Sequence, residues 1–131
     1  MRAWAGVLLL SLLVLGTWAE GAEETLPLIK PEAARQYAGK RVAVVFEVKG
    51  AKYSEKRKTA YLDSTDNFRN ETNLGIAISE RGINDLKQKR QVDLPAEYYR
   101  GKSIRVQGEV VIEEDRVYIK VNDADQLDLA K

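Results

Sequence analysis

The stretch KGAKYSEKRKTAYL gathers the side chains best suited to hold a charged ligand. Lys49, Lys52, Lys56, Arg57 and Lys58 set five positive charges against Glu55, and Tyr53 and Tyr61 stand among them. Ammonium and guanidinium groups can follow a phosphate backbone, and a tyrosine ring offers a plane on which a base or a sugar stacks. Phe68 and Arg69, in the turn-rich TDNFRNETN, extend that surface. In LGIAIS, Gly75 and Ala77 alternate with Leu74, Ile76 and Ile78, leaving one face thin enough for a flat group to lie close. The candidate ligand-binding residues are therefore Lys52, Tyr53, Lys56, Arg57, Lys58, Tyr61, Phe68 and Arg69. A long charged stretch is also what a solvated loop looks like, with Tyr61 packed on its neighbours. The sequence leaves both readings open.

Other kinds of chemistry find few residues to use. With no His and no Cys, zinc lacks its nitrogen and sulfur ligands and a nucleophilic triad lacks its usual base. Asp63 with Asp66, and Asp123 with Asp125 and Asp128, form small acidic clusters, but neither has the spacing of a calcium loop. No carboxylate pair stands out for acid–base work. The expectation is a chain that is not an enzyme, with no catalytic residues, no metal and no cofactor. Lys and Arg total 21 against 20 Asp and Glu, a net charge of +1. That total argues for no highly charged partner. Glu109, Glu113, Glu114 and Asp115 gather in the last hairpin, read as lying across the molecule from the basic stretch. Such a dipole favours a protein partner or self-association over general coating of nucleic acid.

These residues need a scaffold, and the chain begins with something else. MRAWAGVLLLSLLVLGTWAEGAEE has a basic start at Arg2, an apolar run from Val7 to Val14 and then small residues, the order of a cleavable export signal. The run is shorter than the roughly 20 residues a spanning helix needs. Cleavage is expected after Ala19, Gly21 or Ala22, leaving no membrane span and an exported chain, periplasmic or extracellular. The expected organisation is a signal peptide over 1–22, a lead-in over 23–30 and one domain over 31–131. Without cysteine, that domain must rest on its core rather than on disulfides.

Periodicity supplies the elements. PEAARQYAGK reads as a short helix opened by Pro31 and stopped by Gly39. RVAVVFEVKG alternates, with Val42, Val44, Phe46 and Val48 on one face, and is the first strand. Residues 51–58 read as a loop or hairpin tip, TAYLDS as the second strand and LGIAIS as the third. A helix capped by Ser79 runs to about Gln91. Ile104, Val106, Val110 and Ile112 line the fourth strand, with Gly108 among them, and Val117, Ile119 and Val121 the fifth. Five half-buried strands with a helix between the third and fourth make a mainly β chain: a five-stranded Greek-key barrel of the OB-fold type, with a short N-terminal helix.

YYRGKSIRVQGEVVIEEDRVYIKVNDADQLDL and YLDSTDNFRNETNLGIAI resemble the strand, turn and ending motifs of small exported bacterial OB-fold proteins, described as nucleic-acid-binding-like or as tRNA-anticodon-type OB domains. The resemblance spans 31–129. It implies an exported binding module whose ligand is an extended polymer, single-stranded nucleic acid or oligosaccharide, lying on strands two and three and the basic stretch 49–58. The alternative is a protein-interaction or envelope-stress module that binds another protein. Two features depart from the family pattern: the tip of the last hairpin is acidic, and the helix is more basic than apolar.

Overall fold

A computed structural model describes residues 25–131. The expected signal peptide, and the start of the lead-in at 23–24, lie outside the described residues. Among those described, no helix is long and apolar enough to cross a membrane.

The elements run β1 (Leu28–Ile29), a 3-10 helix (Pro31–Tyr37), β2 (Arg41–Glu47), β3 (Gly50–Ser54), β4 (Thr59–Asp63), β5 (Leu74–Ile78), α1 (Glu80–Arg90), α2 (Pro95–Tyr99), β6 (Ser103–Glu113), β7 (Arg116–Val121), a 3-10 turn (Ala124–Gln126) and β8 (Leu127–Leu129). The chain is mainly β, as expected, but with eight described strands rather than five. Two of the additions are short rim strands: β1 lies parallel to β2, and β8 pairs β6. The third corrects the reading of 51–58 as a loop. Gly50–Ser54 pairs β4 from Gly50↔Asp63 to Ser54↔Thr59, leaving only residues 55–58 as the turn. That strand was hidden because its exposed half, Lys52 and Tyr53, carries no apolar alternation. The expected N-terminal helix is a 3-10 helix, and a second short helix, α2, follows α1.

Strand order is β1-β2-β6-β7-β5-β4-β3. β3 ends this path and β2 stands one strand in from its other end, yet the two are separated in sequence only by Val48 and Lys49, so the sheet must curl on itself. At the seam the Val48 N–H donates to the Lys102 carbonyl, the Gly101 N–H to the Val48 carbonyl and the Lys49 N–H to the Asp63 carbonyl, each at 2.9 Å. These bonds stitch the seam without a strand ladder between β2 and β3, so the sheet is not the closed five-stranded barrel expected.

The curl encloses one core. Val42, Val44, Leu62, Leu74, Ile76, Ile78, Ile104, Val106, Ile119 and Leu127 are all fully buried. Side chains of this size each contribute about 1.5–3 kcal/mol on burial. Ile112, assigned to the core face, is 41% exposed because it lies where β6 runs out into the β6–β7 hairpin. Helix α1 covers one end through Leu86, which is fully buried. Its N-cap is Ser79, whose hydroxyl accepts from the Gly82 N–H at 3.1 Å. Gly82 looks like a weak point for a helix, yet a Cβ there would stand 2.5 Å from the Val121 carbonyl oxygen. The helix reaches the end of β7 because that side chain is missing.

Candidate functional site

Leu62 points into the core, so its neighbours Tyr61 and Asp63 point outward on β4. Cross-strand register then lays two rows across the outer face of the sheet. One row runs Lys52 (β3), Tyr61 (β4), Ala77 (β5), Lys120 (β7); the other runs Gly50, Asp63, Gly75, Tyr118, Val111. Three connections rise around these rows: the turn 55–58, the loop 64–73 and the β6–β7 turn. Together they bound a cleft of about 300 Å³, lined by Lys52, Arg57, Tyr61, Asp63, Phe68, Arg69, Arg116 and Tyr118 among others. A second hollow of about 220 Å³ adjoins it, sharing Arg57, Tyr61 and Tyr118. The pair form a track longer than one compact ligand. The first hollow is near the lower end of the size range of small-molecule sites.

The rings and cations are interleaved. Tyr61 and Tyr118 stand 6.0 Å apart, tilted by 50°. Arg57 Nη1 donates to the Tyr61 hydroxyl at 3.4 Å. The Phe68 ring has Arg116 at 4.6 Å, Lys52 at 4.8 Å and Arg69 at 5.1 Å from its centre. None of Lys52, Arg57, Arg69 and Arg116 forms an ion pair with a carboxylate among the described residues. Cations left to rings and solvent in this way keep their charge available to a ligand.

The acidic turn is not across the molecule. Glu114 and Asp115 line the same cleft as Arg57 and Lys52, because β7 pairs β5 in parallel and so brings the β6–β7 turn beside the loop 64–73. The dipole expected from the sequence is thus a local mixture. Arg35 holds one member of the turn, with Nη1 3.2 Å from Asp115 Oδ1 and Nη2 donating to the Asp115 carbonyl at 2.8 Å. Lys120 pairs Glu113 at 2.6 Å.

Asp63 is the one carboxylate on the cleft floor inside the sheet surface, and it is 9% exposed. Asn73 Nδ2 donates to its Oδ1 at 3.1 Å. The Asn73 carbonyl oxygen in turn accepts from the Thr65 N–H at 3.0 Å and the Thr65 hydroxyl at 2.9 Å, which pins the ends of the loop 64–73. Burial pushes the Asp63 carboxyl above its usual range; the Asn73 amide, Lys52 and Arg116 pull the other way without cancelling it. The same cause raises the Tyr118 hydroxyl.

Of the residues singled out from sequence, Lys52, Arg57, Tyr61, Phe68 and Arg69 come together around the cleft. Tyr53, Lys56 and Lys58 do not line it. Tyr53 pairs the buried Ala60 and so leaves β3 on the face opposite Lys52, while Lys56 and Lys58 project from the turn into solvent. The thin face at Gly75 also differs from expectation. The Tyr118 ring already lies there, and a Cβ on Gly75 would stand 2.9 Å from its Cδ1. Asp63, Arg116 and Tyr118 were missed. For Tyr118 the signal was present, since it alternates with the core residues Val117 and Ile119 and must face outward. Asp63 stood out only as half of an acidic pair with Asp66, and nothing local placed it on the floor of a cleft. Among the described residues no cluster of His, Cys, Asp or Glu could hold a metal ion.

No family model matches the chain, and no curated protein does. Solved structures are similar in fold. A Leishmania major protein described as an aspartyl-tRNA synthetase superposes with a TM-score of 0.51 at 10% identity, over 88% of this chain and 22% of that one. The asparaginyl-tRNA synthetase of Pyrococcus horikoshii gives 0.48 at 16% identity, over 81% and 23%. The Stn1-Ten1 complex of S. pombe gives 0.46 at 11% identity, over 70% and 58%. This chain therefore spans between about a fifth and three fifths of the length of these neighbours. The superposition on the Leishmania major protein is a likeness of fold, and the fold of this chain is OB-like.

Proposed function

We propose that the outer face of β3, β4, β5 and β7 binds single-stranded nucleic acid, and that the chain is a binding module rather than a catalyst. One observation carries the reading. Lys52, Arg57, Arg69 and Arg116, none paired with a carboxylate, surround the rings of Tyr61, Phe68 and Tyr118 on one concave face. Cations along a track attract a phosphate backbone, and rings between them accept bases without regard to sequence. OB-folds in general use this face and the flanking loops for oligonucleotides and oligosaccharides, and likeness of fold to a protein named as a tRNA synthetase supports the same assignment. Unpaired cations favour the anionic polymer over a neutral glycan. Residues 1–22 fit an export signal, so the module would work outside the cytoplasm.

Fluorescence anisotropy of the chain from Glu23 with labelled single-stranded DNA, single-stranded RNA and a neutral glycan panel tests this. Salt-sensitive, micromolar or tighter binding to a nucleic acid is expected. Absence of binding at low ionic strength, where the attraction is strongest, would sink the reading, and binding to glycan alone would replace it.

A further inference from the structure

We propose that Asp63 gives the site a base preference: its carboxylate accepts hydrogen bonds from the Watson–Crick edge of one unstacked guanine. This rests on the nucleic-acid reading above and adds a specificity residue to it.

Asp63 lies in a notch. Its cross-strand neighbours are both glycines, Gly50 on β3 and Gly75 on β5. With no side chain of their own, the two glycines leave room for the Tyr118 ring on one side and the Thr65 carbonyl on the other, and Asp63 lines the cleft although its residue is 9% exposed. A Cβ on Gly75 would stand 2.9 Å from Tyr118 Cδ1 and 3.3 Å from Asp63 Oδ1, and one on Gly50 3.3 Å from the Thr65 carbonyl oxygen and 3.9 Å from Oδ2, so any other residue at either position would crowd the walls of the notch. Asn73 Nδ2 supplies Oδ1 with one donor, and Oδ2 has none among the described residues. A buried acceptor without a donor is a costly arrangement that native structures rarely leave unexplained. Asp63 lines the cleft together with Tyr61, Phe68 and Tyr118, so a base held between rings would present its edge to the carboxylate.

The chemistry of the edge selects the base. An ionised carboxylate only accepts, and its two oxygens have room for about four hydrogen bonds. Guanine offers adjacent N1–H and N2–H donors at a spacing two carboxylate oxygens can share. Adenine and cytosine offer one amine beside an acceptor nitrogen, which the carboxylate repels. Thymine and uracil offer N3–H between two carbonyl oxygens, which repel it twice. Burial raises the Asp63 carboxyl, and the Asn73 amide, Lys52 and Arg116 offset part of that rise in favour of its ionised form. The one polar group bonded to the carboxylate among the described residues, the Asn73 amide, donates to it, so the carboxylate is held as an acceptor.

The test uses fluorescein-labelled oligodeoxythymidylates of about ten nucleotides, within the range of OB-fold site sizes, with one central G, inosine, A, C or T. Inosine keeps N1–H and lacks the N2 amine. The wild-type chain is expected to bind G tighter than T by about tenfold to a hundredfold, the span of a good bidentate base contact, with inosine between them. Asp63→Asn, which replaces one acceptor by a donor, is expected to flatten that ranking. Equal, salt-sensitive affinity for all five oligomers, a ranking led by A or C, or a G preference retained in Asp63→Asn overturns the assignment while leaving the nucleic-acid reading standing. No salt-sensitive binding to any oligomer overturns both. If thermal melting shows that Asp63→Asn does not fold, the wild-type G, inosine and T comparison decides alone.

Discussion

The sharpest test of the cleft separates charge in the right place from charge in general. Arg57→Gln with Arg69→Gln removes two of the four cations around the rings; Lys56→Gln with Lys58→Gln removes two from the same region of chain that face solvent. Both double variants change the net charge equally. For single strands each neutralised phosphate contributes about −0.7 to the slope of log affinity against log salt. Four contacts give a slope of about −2.8, so raising salt from about 50 to about 200 mM weakens binding roughly fiftyfold. Two contacts give about −1.4 and a loss of roughly sevenfold. Anisotropy titrations at four or more salt concentrations measure the slopes directly. The Arg57/Arg69 variant should fall to about half the wild-type slope, and the Lys56/Lys58 variant should keep it. Equal slopes for the two variants would refute the reasoning, because the track would then be no more than diffuse attraction.

Other consequences are open to simpler measurements. Gly82→Ala would gain about 1 kcal/mol of helix propensity, but its Cβ falls 2.5 Å from the Val121 carbonyl oxygen. Overpacking of this kind costs about 1–3 kcal/mol, so Tm is expected to fall rather than rise. The Asp63 carboxyl is raised on folding; its contribution to stability is present below the ordinary carboxylate value and lost as pH rises through the folded one. Wild-type chain should therefore gain on Asp63→Asn as pH drops from neutral towards that value, read as a shift in urea midpoint. Burial pushes the Tyr99 hydroxyl up to about 12, so in an ultraviolet pH titration Tyr99 should ionise well above the ordinary tyrosine value of about 10. Any stability tied to its neutral form should fade as pH climbs from about 10 through that value.

Much of the fold could be read from period-two alternation. Val42, Val44, Phe46 and Val48, then Leu74, Ile76 and Ile78, then Val117, Ile119 and Val121 are buried as their spacing required. Alternation fails where a strand leaves the core. Gly50–Ser54 pairs β4 through backbone bonds that any residue can make, so Lys52 and Tyr53 betray nothing. The two-residue β1 and three-residue β8 are too short for any period. The site was half legible. Composition drew attention to Lys52, Arg57, Tyr61, Phe68 and Arg69, but composition cannot tell Lys52 from Tyr53, which differ by which side of one strand they leave. Nor could it place the acidic turn, which reaches the cleft only through the parallel pairing of β5 and β7, some forty residues apart. The same pairing makes Gly75 and Tyr118 neighbours, so the space a sequence reader would assign to a ligand is filled from within.

The seam between β2 and β3 also bears on the order of assembly. The β3–β4–β5 meander is local and can form as soon as residues 50–78 are available, carrying Lys52, Arg57, Tyr61 and Asp63 with it. β2 must wait for β6, its partner some sixty residues later in the chain, and such distant pairing is the slow part of folding. Tyr118 and Arg116 arrive with the strand after that. On a ribosome, half of the cleft would exist long before the other half had been made. A ligand that needs both halves would bind only the finished molecule, and its capture would report the completion of folding.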